Sequence, residues 1–231
     1  MNKQIQRQGV PVSRTKARSR VPSEKTLNRR KRLMETKRSA IMVAALDIFS
    51  RYGVHGTSLD QVASQADVSK TNLLYYFTSK EELYVNVLRQ LMDVWLRPLQ
   101  TFTVEQDPVD AIGDYLQVKL ELSRDNPAES RLFCLEMIQG APLLREELRT
   151  SLREIVESKV SVINAWIAAG KLAPIDPHHL IFSLWATTQH YADFRVQVEA
   201  VSGHTLDDPA FFAETLANLK LLVLQGICPR S

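Results

Sequence analysis

A chain of 231 residues that is 45% hydrophobic and 24% charged has the material for one sizeable core or two smaller ones, and it reads as an ordinary soluble protein. Its two cysteines, Cys134 and Cys228, form neither a CxxC nor a metal-ligand spacing, which excludes a disulfide framework and a cysteine-held metal. The net charge of +3 is unevenly spread: residues 1–38 hold 13 Lys or Arg against Glu24 and Glu35, a local +11 that leaves −8 on the other 193 residues.

Residues 1–35 are expected to form a basic, flexible arm ahead of an acidic body, an arrangement that favours a polyanionic partner for the N-terminal end. A solvated tail without a partner is the alternative. The arm lacks the apolar core of a signal peptide, and nowhere do eighteen apolar residues run uninterrupted. The expected setting is the cytoplasm, with no membrane partner.

From Thr36 to Tyr52, Ile41, Ala44, Ala45, Ile48 and Phe49 recur at intervals of three and four, an amphipathic helix ended by Gly53. In "HGTSLDQVASQADVSK", Ser58 with Gln61 forms a capping box and Ser69 restarts the chain after a turn around Asp67 and Val68, so two short helices flank a tight turn. A third capping box, Ser79 to Glu82, opens a longer helix that Pro98 stops or kinks. Helical patterns follow at about 108–124, 127–139, 143–169, 177–200 and 209–226, with prolines near several first turns. No strand-like run competes, so the fold class is all-α: residues 36–83 an N-terminal three-helix helix-turn-helix domain, residues 84–231 a helical effector-binding and dimerisation domain.

The short helix from Lys70 to Phe77 is marginal alone, because nucleation costs more than so few hydrogen bonds return. Val68, Leu73 and Phe77 are expected to dock on Leu59, Val62 and the first helix. That leaves Lys70, Thr71, Asn72, Tyr75 and Tyr76 outward, a composition suited to a helix entering the major groove of DNA. Each tyrosine can alternatively be a core aromatic, Tyr76 more readily than Tyr75.

The block "GTSLDQVASQADVSKTNLLYYFTSKEEL", residues 56–83, resembles the helix-turn-helix signature of the TetR family of transcriptional regulators. The resemblance implies that Thr57 and Ser58 contact phosphate, that Lys70, Thr71 and Asn72 read bases, and that Tyr75 and Lys80 hold the backbone. Ser69 and Tyr76 complete the expected surface. Asp67 stands where glycine is common and Leu74 where tyrosine is frequent; Asp tolerates a left-handed turn, while Leu74 changes the detail of base contacts. Segments "RTKARSR" and "NRRKRL" are expected to follow the minor groove or backbone, with a steep salt dependence.

Beyond the head, "LLYYF", "LRQLMDVWLRPL", "SRLFCLEMIQGAPLL", "GKLAPIDPHHLIF" and "WATTQHYADF" resemble the pyrimidine-utilisation repressor subgroup of that family. This resemblance implies a dimer that regulates pyrimidine catabolism and answers uracil or a related pyrimidine. The residues allow such a site: Trp185 and Gln189 lie i, i+4 on one helix face, where a carboxamide can match the alternating N–H and C=O groups of a pyrimidine while indole packs on the ring. Trp95, Phe133 and Cys134 are expected as apolar walls, and Lys119, His190 and Tyr191 as further polar groups. Alternatively Trp185 is plain core and Gln189 satisfies a backbone carbonyl.

The stripes at Leu180 to Tyr191 and at Phe211, Leu216, Leu219, Leu222 and Val223 exceed what one subunit can hide, so a homodimer through the last two helices is expected, reading a palindromic double-stranded operator. Effector binding would pull on the helix from Ser79 to Arg97 and change the spacing of the heads. Catalysis is not expected: the five histidines form no HExxH or Ser-His-Asp pattern, no glycine-rich phosphate loop is present, and no cofactor or metal is implied. The alternatives are a regulator of the same family with a drug-like or lipid effector, and a DNA-binding protein without sequence preference.

Overall fold

The structure, a computed structural model, describes residues 24–229, which divide between two units at Thr36 and Lys37. The "RTKARSR" part of the basic arm lies outside the described residues. Among the described residues every regular element is a helix.

Helix α1 spans Glu24–Tyr52, so the first helix starts twelve residues before the expected Thr36, and the "NRRKRL" part of the arm is helical. The reason is propensity. "EKTLNRRKRLME" contains no Pro or Gly, consists largely of strong helix formers, and opens with Glu24 in the first turn, where a carboxylate suits the helix dipole.

In the second unit α1 is followed by α2 (Leu59–Gln65), α3 (Lys70–Tyr76) and α4 (Lys80–Gln100). The capping residues read from the sequence act as caps: Ser58 Oγ accepts from Gln61 N at 3.3 Å while Gln61 Oε1 accepts from Ser58 N at 2.8 Å, and Ser69 Oγ accepts from Asn72 N at 3.1 Å. At α4 the box is displaced. Ser79 Oγ accepts from Glu82 N at 3.0 Å, but the Glu82 carboxylate reaches back to Thr78 N at 2.7 Å, one residue further than expected. Asp67 takes the left-handed conformation, φ +51°, that the tight turn demands.

Pro98 neither ends nor interrupts α4, which continues to Gln100; the proline occupies the last turn. The head core is built from Ile41, Ala45 and Phe49 of α1, Val62 of α2, Leu73 and Phe77, and it continues without a gap into Leu83, Tyr84 and Leu88 of α4. Phe49 meets Tyr84 edge-on at 5.1 Å. The α3 turn is thus stable because neighbours prop it, as the helix-nucleation argument requires.

At Gly56 an added Cβ would sit 2.4 Å from the Tyr52 carbonyl oxygen. Gly56→Ala is therefore expected to destabilise the head by roughly 1–3 kcal/mol. A fall in the thermal midpoint of the purified protein checks it, and an unchanged midpoint contradicts this packing.

The remaining helices are α5 (Pro108–Asp125), α6 (Pro127–Ile138), the short α7 (Arg145–Glu147), α8 (Arg153–Ala168), α9 (Pro177–Asp193), α10 (Arg195–Ser202) and α11 (Pro209–Ile227). Pro at the first position, where its missing N–H costs nothing, begins α5, α6, α9 and α11; Asp107, Asp176 and Asp208 cap three of these through two backbone amides each. A π-helical turn, Leu148–Leu152, joins α7 to α8 within the expected 143–169 run. The run expected at 177–200 is broken at Phe194, which leaves helical geometry (φ −114°, ψ 29°) and stacks on His190 at 5.1 Å.

A second core gathers Leu99, Phe102, Ile112, Leu116, Trp166, Ile181 and Leu184, with α5 and α9 at its centre. Helix α11 packs one face on it, through Leu219 and Ile227 with Phe212, Leu216 and Val223 beside them, and leaves Leu221 and Leu222 on its other face exposed. Among the described residues α11 is the one helix long and apolar enough to cross a membrane, with a mean window hydropathy of 1.3, yet 17% of that window is buried. Glu214, Asn218, Lys220 and Gln225 interrupt the run, which is why no stretch of eighteen apolar residues appears in the sequence.

Candidate functional site

The first site is the outer face of α3. Its N-cap Ser69, its first residues Lys70 and Thr71, and Tyr75, 70% exposed, all face outward; Asn72 and Tyr76 are half-buried. Tyr76 packs on the head core while meeting Tyr75 edge-on at 5.2 Å, so the two adjacent tyrosines divide the work: one faces solvent and one braces it. Lys70 Nζ is paired with Asp60 Oδ2 at 2.8 Å, an exposed ion pair that a stronger anion can displace.

Two residues expected at phosphate are placed otherwise. Thr57 is buried and its hydroxyl donates to Gly53 O at 2.7 Å, closing the end of α1. Lys80 is half-buried and donates to Thr57 O at 2.9 Å, which ties α4 to the loop before α2. Both hold the turn in shape, because the chain leaving α1 has carbonyls that need donors. Ser58 remains exposed at the start of α2.

The second site is a small cavity, about 50 Å³, lined by α4, α5, α6, the π turn and α9. Trp95, Lys119, Phe133, Trp185 and Gln189, five residues from four helices, come together in its wall. Met92, Leu96 and Leu152 complete it and were not anticipated. Met92 and Leu96 share the Trp95 face of α4 and were legible by helical spacing; Leu152 reaches the wall from a π turn that no sequence pattern announces.

Three expected residues are not in the wall. His190 is exposed against Phe194, Tyr191 faces Phe211 edge-on at 6.4 Å, and Cys134 turns toward Asp193. The physical cause is rotation: each residue advances about 100° around a helix, so His190 and Tyr191 leave the Gln189 face and Cys134 leaves the Phe133 face.

Lys119 is 1% exposed, and its Nζ lies 4.1 Å from the centre of the Trp95 ring. Burial pushes its ammonium down to about 7, with the Asp193 carboxylate opposing the shift. Asp193, at the end of α9, accepts from Ser130 Oγ, and burial followed by this carboxylate pushes the Cys134 thiol up to about 11, leaving it unreactive. Gln189 is half-buried and, with Lys119, is one of two polar side chains in a wall otherwise aromatic and aliphatic. The cavity can therefore stack a flat ring and offer it one amide donor, one amide acceptor and an amine.

Two polar ties connect the cavity's frame to the head-proximal half of α4. Tyr84 Oη donates to Glu136 Oε2 at 3.3 Å, while the buried Glu136 also accepts from Leu143 N at 2.8 Å and Leu144 N at 3.2 Å. Arg89 pairs with Glu147, immediately before the π turn. No group of His, Cys, Asp or Glu able to hold a metal exists among the described residues.

Comparison with known proteins agrees with this arrangement. Residues 41–87 match the family of bacterial regulatory proteins, tetR family, and residues 88–230 match the YcdC-like protein, C-terminal region. The chain is 55% identical over 206 residues to the HTH-type transcriptional regulator RutR of Escherichia coli K12, covering 89% of this chain and 97% of that protein. It is 23% identical over 199 residues to the HTH-type transcriptional regulator YhgD of Bacillus subtilis, covering 83% and 96%. In fold it is similar to the regulator SCO4942 from Streptomyces coelicolor, with a TM-score of 0.67 at 24% identity over 84% of this chain and 99% of that one. With a matching head, a matching C-terminal region and a full-length relative above half identity, this chain belongs to the TetR family of DNA-binding transcriptional regulators and is not an enzyme.

Proposed function

We propose that the protein is a pyrimidine-responsive repressor, a homodimer that holds a palindromic operator and leaves it when uracil or a related pyrimidine enters the cavity between α4, α5, α6 and α9. The observation that carries this reading is the meeting of Gln189 and Lys119 with the rings of Trp95 and Trp185 in one small cavity. A pyrimidine presents a flat face for the indoles and an edge of alternating C=O and N–H groups for the carboxamide. The full-length likeness to RutR supports the same ligand class.

On this reading the exposed face of α3 enters the major groove. Lys70, Thr71 and Asn72 meet base edges and Tyr75 the backbone, with Ser58 and Ser69 at helix starts beside phosphates. The setting is cytoplasmic. The bare apolar face of α11 with the outer face of α9, where Phe182 is 50% exposed, forms the subunit contact. A lipid or drug-like effector is disfavoured by the cavity's modest size and its polar Gln189 and Lys119.

Calorimetric titration of the purified protein with uracil, thymine and a purine base tests this. About one uracil per subunit is expected, with affinity reduced at least about fivefold in Gln189→Ala, since a buried carboxamide contact contributes roughly 1–3 kcal/mol. Equal binding in Gln189→Ala, or no heat from any pyrimidine, refutes the reading.

A further inference from the structure

Lys119 is the least expected group in the cavity. Lysine is almost never fully buried unless paired, yet this side chain is 1% exposed and its Nζ rests 4.1 Å from the centre of the Trp95 ring. Its surroundings offer little to hold a charge. From α4 and the π turn it is faced by apolar and aromatic side chains, Trp95 nearest; from α6 by Phe133; from α9 by Trp185, Gln189 and, further along, Asp193. Asp193 is the one carboxylate that acts on it, and that carboxylate is shared with Ser130 and Cys134 of α6.

We propose that the cavity takes up its ligand together with a proton: Lys119 rests as a neutral amine, and a ligand carbonyl oxygen makes the ammonium the stable form. The inference rests on the reading of this cavity as the effector site. Solvent supplies the proton, the amine lone pair binds it, and the ammonium then lies between the ligand oxygen, the Trp95 ring and the field of Asp193. The driving force is that a hydrogen bond from a charged donor is roughly twice as strong as one from a neutral donor, so the ligand favours the protonated lysine. The downward shift of Lys119 to about 7 by burial places the event in the physiological range.

The sign follows from linkage. Ligand binding raises the lysine's proton affinity, so ligand affinity is greatest where Lys119 is already charged. It stays level below about pH 7 and falls as pH rises above that value, by up to about tenfold per pH unit. Asp193 acts as a positioning residue for this charge: Asp193→Asn removes the opposing carboxylate and moves the fall to lower pH.

Two measurements decide it. The first is NMR titration of the lysine ε-methylene signals of the free protein, with Lys119 assigned through Lys119→Met. Titration near neutrality is expected, and titration in the ordinary lysine range overturns the proposal whether or not uracil binds. The second is uracil calorimetry in buffers of differing ionisation enthalpy, at pH values where uracil stays neutral. Uptake approaching about one proton per subunit at pH 8, and little at pH 6, is expected from the linkage relation. Zero uptake or net release overturns the proposal even if uracil binds. If uracil gives no heat at any pH, the pyrimidine reading fails separately, and the lysine titration alone decides whether a proton-accepting amine rests in the cavity.

Discussion

Replacing Leu222 by glutamate is expected to leave the subunit helical and folded while converting the dimer to monomers and abolishing operator binding. Leu222 is 72% exposed and its neighbour Leu221 52%, on a helix apolar enough to be mistaken for a membrane span. An exposed apolar surface of this kind on a chain that carries a TetR-family head calls for a second subunit. In a two-fold contact each substitution appears twice, so two carboxylates would be forced together in an apolar seam. The measured consequences are the molar mass in solution, from about twice the chain mass to once, and loss of binding to a two-half-site operator. The monomer keeps the weak, salt-sensitive affinity of one head. A dimer that persists in Leu222→Glu would place the subunit contact elsewhere.

Glu136→Ala is expected to have the second large effect, on stability and on signalling together. The Glu136 side chain is buried and receives Leu143 N, Leu144 N and Tyr84 Oη, so its removal leaves three donors without an acceptor. A loss of about 3–5 kcal/mol follows if the loop cannot rearrange to admit water. Tyr84→Phe is the gentler companion, since it deletes only the tie between α6 and α4. Phe133, one turn before Glu136, walls the cavity, and Tyr84 packs on Phe49 of the head. In Tyr84→Phe, uracil affinity should change by about twofold or less, while the ligand-induced loss of operator affinity shrinks by about tenfold, within the usual range of allosteric coupling energies. Operator titrations with and without saturating uracil measure both. A coupling equal to that of the unsubstituted protein would mean that the signal passes by another route, of which Arg89 with Glu147 is the next tie.

The caps and turn of the head were legible because their causes are local. A serine three residues before a glutamine, or an aspartate at a turn, acts through atoms within one helical turn, and Ser58, Ser69 and Asp67 do what their neighbours in sequence dictate. The start of α1 at Glu24 was missed because a dense run of charge was read as solvation, although the same residues are good helix formers. The end of α9 at Asp193 carries no Gly, Pro or capping signal in the sequence; Phe194 leaves helical geometry there while stacking on His190.

By itself the sequence determined the all-helical class, the helix-turn-helix head, the family and most of the cavity's aromatic and amide residues, because periodicity and capping are short-range and motif residues are fixed in spacing. Only the tertiary structure decided that Thr57 and Lys80 are occupied with backbone carbonyls, that His190, Tyr191 and Cys134 face away from the cavity, and that Lys119 is buried over Trp95. Those outcomes depend on which faces of five separate helices meet, and on how much water is left between them. Neither quantity is written in the spacing of any one helix.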